Sequence, residues 1–194
     1  MTFTIDLAKT YFQYSTSKAT EFEAILTKAL VPAKNQFLSK IQSEEYKRFV
    51  NFSNPITATS KESDNLTFNY DSAISEFKVD DSVTIDSIMF TIVSVDDDEF
   101  VIDKEYTGSS LEITNNTMDS YSSIFAWFVL YMFTIIGREL FIGIIVQENQ
   151  EFGDGNQFGA EEKLKKYQKD LKDSIKDEYS VIQGNQTPIQ LGRM

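Results

Sequence analysis

Lys78–Gly108 reads KVDDSVTIDSIMFTIVSVDDDEFVIDKEYTG. Apolar and polar residues alternate through it. Val83 and Ile85 share one side and Thr84 and Asp86 the other. Met89 to Val95 repeats the pattern, and so does Phe100 to Ile102. A period of two, carried by β-branched and aromatic residues, marks strands that bury one face. Each run breaks at acidic residues, Asp80-Asp81 and Asp96–Glu99, which read as turns.

Working outward, this β-module is expected to span 66–114. A Ser-, Thr- and Asn-rich stretch with Pro55, residues 51–65, reads as a linker before it. Residues 1–50 read as an N-terminal arm and a helical hairpin. Phe3, Ile5 and Leu7 alternate as in an extended arm. Phe22, Ile25, Leu26, Ala29 and Leu30 share a helical face, and Thr20 with Glu23 has the spacing of a capping box. Pro32 is expected to end that helix and to open a second one carrying Phe37, Leu38, Ile41 and Phe49. Residues 115–183 read as two long helices that complete the bundle, and 184–194 as an extended C-terminal arm. The expected fold class is therefore α+β: a helical bundle of four helices, the last two long, with an inserted small antiparallel β-module.

The first of the long helices is apolar on nearly every face. Ser122 to Gly137 carries no charge. Its β-branched content leaves a strand pair open, but its length and the cap candidates Asp119 and Ser120 favour a helix. A membrane span needs about 20 apolar residues, and Arg138 and Glu139 interrupt this one. Burial inside a bundle or between subunits is the preferred reading. The second helix, Ala160 to Ile182, has a narrow apolar stripe of Leu164, Tyr167, Leu171, Ile175, Tyr179 and Ile182. Glu161 with Lys165, and Glu162 with Lys166, are spaced for ion pairs.

Composition narrows the chemistry. The chain has 194 residues, no Cys and no His. Disulfides, thiolate metal sites and Cys nucleophiles are excluded, as are His general bases and His ligands. Acidic residues number 30 against 18 basic ones, a net charge of −12. Gripping duplex DNA takes Lys and Arg that displace counterions, so this balance opposes it.

No motif points to catalysis. Asp96–Glu99 lacks the spacing of a calcium loop and reads as an acidic hairpin turn. FGDGNQFG at 152–159 has Phe158 where a phosphate-binding fingerprint needs its last glycine. No catalytic, cofactor-binding or metal-ligating residue is assigned, and no enzyme activity is expected. Arg138 and Glu139 stand out because a charge buried in an apolar segment needs a partner. Both are interface candidates, with Trp127 and Phe128 from the same segment. Ile189 and Leu191 join them as the apolar anchors of the C-terminal arm.

The run FTIVSVDDDEF followed by a short strand and YTG resembles small β-modules in the structural proteins of tailed bacteriophages. With the order of the helical parts, the chain resembles head-to-tail adaptor (connector or ring) proteins, those of crAss-like phages in particular. The resemblance implies a homo-oligomeric ring, a dodecamer in that family, in the portal and neck region of the virion. It implies a DNA channel through which DNA passes without specific binding. The implied partners are the portal protein and other neck or tail ring proteins, with no membrane and no cofactor. The particle would be assembled in the host cytoplasm. Another tail or baseplate protein is the first alternative. A small membrane-associated protein using residues 122–147 is the second, and a carboxylate hydrolase the weakest.

Overall fold

The computed structural model describes residues 4–12, 18–41, 43–73, 76–150 and 157–182. These residues form six helices and a seven-stranded antiparallel sheet. The chain divides into two compact units, one of residues 42–121 and one of residues 3–41 and 122–194. The fold class differs from the four-helix bundle with a small inserted β-module that the sequence suggested. The sheet is the frame of a whole unit, and residues read as linker and as helical hairpin belong to that unit.

In the β unit, α3 (Ser43–Asn51) leads into β1 (Ile56–Thr57), β2 (Ser60–Lys61), β3 (Thr67–Asn69), β4 (Ser82–Ile85), β5 (Ile88–Val95), β6 (Glu99–Ile102) and β7 (Glu112–Asn115). The strand order is β1-β7-β4-β5-β6-β3-β2. The two end strands are consecutive in the chain. Residues 56–61 form one segment, bent at Thr59, whose first half pairs with β7 and whose second half pairs with β3. Between the halves, the Ala58 N–H donates to the Leu111 carbonyl and the Thr59 N–H to the Asn69 carbonyl. The curled sheet thus has its two ends bridged by one segment, and its end strands are only two residues long, which blunts strand addition. Ile56 and Ala58 are buried while Thr57 and Thr59 face out. That alternation was hidden because it is short: only Ile56 and the small Ala58 face in, and Ser60 is exposed.

β4 and β5 form a two-residue hairpin with Ile85 opposite Ile88. Asp86 and Ser87 both take positive φ, 49° and 64°, as the turn that matches strand twist requires. A bulge interrupts the β5–β6 register at Val93. Inside the sheet, Phe68 stacks on Phe100 at 5.5 Å, and Phe77 packs on Tyr70, Phe52 and Phe100.

The YTG segment plugs one side of this core. The buried Tyr106 ring packs on Phe68 and Phe90. Its hydroxyl donates to the Asp86 carboxylate and accepts the Ser110 N–H. Lys61 ties the loop down by donating to the carbonyls of Tyr106 and Gly108 at 2.9 and 2.8 Å. A Cβ at Gly108 would lie 2.4 Å from the Tyr106 hydroxyl. Only glycine leaves room for the ring, which is a structural reason for that spacing of Tyr and Gly.

The helical unit contains α1 (Asp6–Tyr11), α2 (Ala19–Leu38), α5 (Arg138–Gln150), α6 (Gln157–Ile182) and most of α4 (Asn116–Ile136). The first turns of α4 belong to the β unit. Residues 6–11 are helical, against the extended arm expected there. α2 continues through Pro32. A proline inside a helix removes one backbone hydrogen bond, and here the buried face Phe22, Leu26, Ala29, Ala33 and Phe37 carries across it. The expected capping box is absent: Lys18 is the N-cap and no side chain caps the helix. Phe22 lies against Phe133 at 4.8 Å, Phe37 against Phe125 at 5.6 Å, and Phe12 against Phe141 at 5.3 Å.

The apolar segment read as one long helix is two. α4 and α5 meet at Gly137. A Cβ there would stand 2.7 Å from Ile25 Cγ2 and 3.1 Å from the Phe133 ring. The glycine permits a close approach of the chain to α2. The cap of α4 is neither Asp119 nor Ser120. Asn115, in the preceding strand, accepts the Met118 N–H at 3.1 Å, the bond an N-cap makes to the third helical residue.

Candidate functional site

The interface candidates occupy different environments. Phe128 is buried. Trp127 is half-buried, with its ring 5.9 Å from that of Tyr11. Arg138 and Glu139 are exposed, which corrects their reading as buried charges. The break at Gly137 places them at the start of a new helix, where they reach solvent. Arg138 pairs with Glu161 across to α6 at 2.9 Å. That leaves Glu161 with Arg138 as its ion-pair partner rather than Lys165, and Glu162 forms no ion pair with Lys166 within 4.0 Å. Ile189 and Leu191 lie outside the described residues.

The buried charges are elsewhere. Arg48 of α3 and Asp81, just before β4, are 3% and 4% exposed. Their side chains form an ion pair. Arg48 Nε also donates to the Glu76 carbonyl at 2.6 Å, and Glu45 stands 3.4 Å from Nη1. Asp81 accepts the Asn115 amide at 2.9 Å and the Lys78 N–H at 3.0 Å. Burial pushes the Asp81 carboxyl above its usual range, against the Arg48 guanidinium and these donors, which hold it down. Every contact of this network goes to the protein itself, so it ties α3, β4 and the cap of α4 together and offers no open position. Composition gave one signal for it, since Arg48 is one of three arginines; the Asp80-Asp81 pair read only as a turn.

Among the described residues, recesses open along α6. One, about 270 Å³, lies between α4 and α6 and is lined by Thr134, Arg138, Glu161 and Gln168 among others. Its polar groups are engaged: Gln168 donates to the Thr134 hydroxyl at 3.0 Å, which itself donates to the Tyr131 carbonyl. Another, about 290 Å³, is lined by Phe12, Phe141, Ile145 and Tyr167 with Lys163, Lys166 and Asp170. Among the described residues the buried Tyr167 hydroxyl finds no hydrogen-bond partner, and burial raises its pKa. Neither recess gathers a nucleophile and a base. Among the described residues no cluster of carboxylates is arranged to hold a metal ion. Asp96–Glu99 forms the β5–β6 turn, closed by the Asp96 N–H donating to the Glu99 carbonyl.

What the molecule does present is surface of two kinds. The outer side of the sheet carries large apolar side chains in solvent: Met89 is 63% exposed, Val79 52% and Val93 49%. Met89 and Val93 sit on one side of β5, opposite the buried Phe90 and Ile92. Val79 adjoins Asp80, whose N–H donates to the Ile92 carbonyl. Around them the unit is acidic. Residues 42–121 hold 17 Asp and Glu against five Lys and Arg, a formal charge of −12. Residues 3–41 and 122–194 hold 13 against 13. The whole net charge of the chain thus belongs to the β unit.

α4 is long and apolar enough to cross a membrane by length and composition, and over half of its most apolar stretch is buried inside the protein. No family model matches the chain, and neither does any curated protein or solved structure.

Proposed function

We propose that this chain is a non-catalytic structural protein that assembles with copies of itself into a ring, as a head-to-tail adaptor in the portal and neck region of a tailed phage. The observation that carries the assembly part is the set of large apolar side chains, Met89, Val93 and Val79, that an acidic unit leaves in solvent. Large apolar side chains left in solvent become a contact site where a partner covers them. The very short end strands direct assembly to side-chain faces rather than to strand addition. The ring, the portal and the DNA channel come from the resemblance of the β-module and of the element order. An acidic unit suits a passage along which DNA slides without adhering. The portal and neighbouring ring proteins are the partners of this reading, and the virion its location.

The test is electron microscopy of the purified full-length chain, alone and mixed with portal particles. Rings, or density added at the portal vertex, are the expected result. A chain that remains monomeric at all concentrations and leaves portal particles bare refutes the reading. A second reading, a membrane-associated protein, is favoured by the apolar length of α4. Partition of the detergent-free protein into lipid vesicles would select it.

A further inference from the structure

The lysines of α6 form a line. Lys165, Lys169, Lys172 and Lys176 step by four, three and four residues, which places them on one helical edge about 16 Å long. Lys165, Lys169 and Lys176 are exposed. Lys172 is half-buried, with its ammonium 5.1 Å from the centre of the Tyr131 ring. None of the four lies within 4.0 Å of a carboxylate among the described residues. Asp170, Asp173 and Asp177 occupy the adjoining strip of the same helix. Asp173 has the spacing to meet Lys169 or Lys176 and pairs with neither. Like charges three and four residues apart repel, so the line is a feature that an opposite charge from outside would relieve.

We propose that this lysine edge docks on the acidic β unit of a second copy of the chain. The inference rests on the ring reading and names the contact that would build the ring. Charge complementarity selects the occupant. One chain carries both a line of lysines that form no ion pair among the described residues and a unit with 17 carboxylate residues against five cations, so the two surfaces are present in equal numbers in any homo-oligomer. They are different surfaces, which makes the contact heterologous: each copy gives its lysine edge to one neighbour and its β unit to the other. Contacts of that kind close into rings when the rotation allows. Duplex DNA is the competing occupant for a lysine line, and the test below separates the two.

Sedimentation velocity of the full-length protein tests the contact, at about 0.05 M and about 0.5 M salt, where screening lengths differ by severalfold. The variants are Lys165→Glu/Lys169→Glu/Lys176→Glu and the matching triple Gln substitution. All three positions are exposed, and circular dichroism checks that α6 persists. If the Glu variant loses helix, the Gln variant carries the comparison. The wild type should self-associate at low salt and weaken about tenfold or more at high salt. The Glu variant should lose association at both, and the Gln variant should fall between. Association unchanged in the variants overturns the contact and leaves the ring reading standing. A wild type that is monomeric in every condition overturns both. Retardation of duplex DNA by the wild type and not by the Glu variant also overturns the proposal, because the lysine edge would then serve nucleic acid.

Discussion

Replacing Arg48 with Met removes the one cation from a carboxylate that solvent barely reaches. Asp81 is 4% exposed and would keep only the Asn115 amide and the Lys78 N–H as donors. Breaking one side of a buried pair costs about 3–5 kcal/mol, a large share of the roughly 5–15 kcal/mol that holds a domain. The carboxyl has a way out, because it can bind a proton. Burial already pushes its pKa up, and the Arg48 guanidinium is the largest of the influences that hold it down. Without Arg48 the folded-state pKa rises further above the unfolded value. A group raised in this way stabilises the fold at low pH, and that stabilisation is lost as pH rises through the folded pKa. Arg48→Met should therefore be most damaging near pH 8 and should partly recover as pH falls toward 5. Asp81→Leu has no such escape, since an arginine keeps its charge, and its loss should vary little across that window. The double variant should lie about 0.5–3 kcal/mol above the sum of the singles. Urea unfolding at both pH values, followed by circular dichroism, measures all four corners. Fluorescence of Trp127, which belongs to the helical unit, shows whether the two units unfold together. Strict additivity, or an Arg48→Met variant equally weak at both pH values, would refute the argument that this pair is buried and coupled.

Three further outcomes are expected. Gly137→Ala should destabilise by about 1–3 kcal/mol, as overpacking does, because its Cβ would meet Ile25 at 2.7 Å; a neutral effect in thermal melts would show that α2 can yield. Phe128→Ala should cost about 3–5 kcal/mol, while Trp127→Ala, at a half-buried position, should cost clearly less; the reverse order in urea titrations would contradict the placement of the two rings. At physiological salt the protein should not retard duplex DNA, and tight binding with a steep salt slope would contradict the sliding-channel reading.

The strands from Ser82 to Ile102 were legible because their inward residues are large: Val83, Ile85, Phe90, Ile92, Phe100 and Ile102 are all buried. The helical face of Phe22, Leu26 and Ala29 was legible for the same reason. Elsewhere local rules gave way to tertiary packing. Pro32 should stop a helix, yet Ala33 and Phe37 are buried beyond it. The polar 51–65 stretch hid two strands because bridging the sheet ends takes backbone hydrogen bonds, which leave no mark on composition. Arg138 and Glu139 were misplaced by one glycine: reading the apolar run as a single helix put both charges in its interior, and a break at Gly137 brings them to the surface. Arg48 and Asp81 are 33 residues apart, and no periodicity connects them.

The net charge is the case in which a total misled by being uniform. A value of −12 spread over 194 residues suggests general solubility and repulsion between copies. Divided between the units, it becomes −12 on one and zero on the other. A neutral unit with 13 cations can attract where a uniformly acidic chain would repel. Its lysines need only be ordered, and the α-helix orders them: the same three- and four-residue steps that bury Leu164, Leu171 and Ile175 set Lys165, Lys169, Lys172 and Lys176 on one edge. The buried stripe and the charged edge are thus two consequences of one periodicity. Shifting a lysine by one residue, for example by exchanging Lys169 with Asp170, keeps composition and net charge, breaks the line and sets a carboxylate within it at pairing distance in sequence from Lys165 and Lys172. Self-association that weakens in that exchange variant depends on the arrangement of charge, and self-association that survives it depends on the amount.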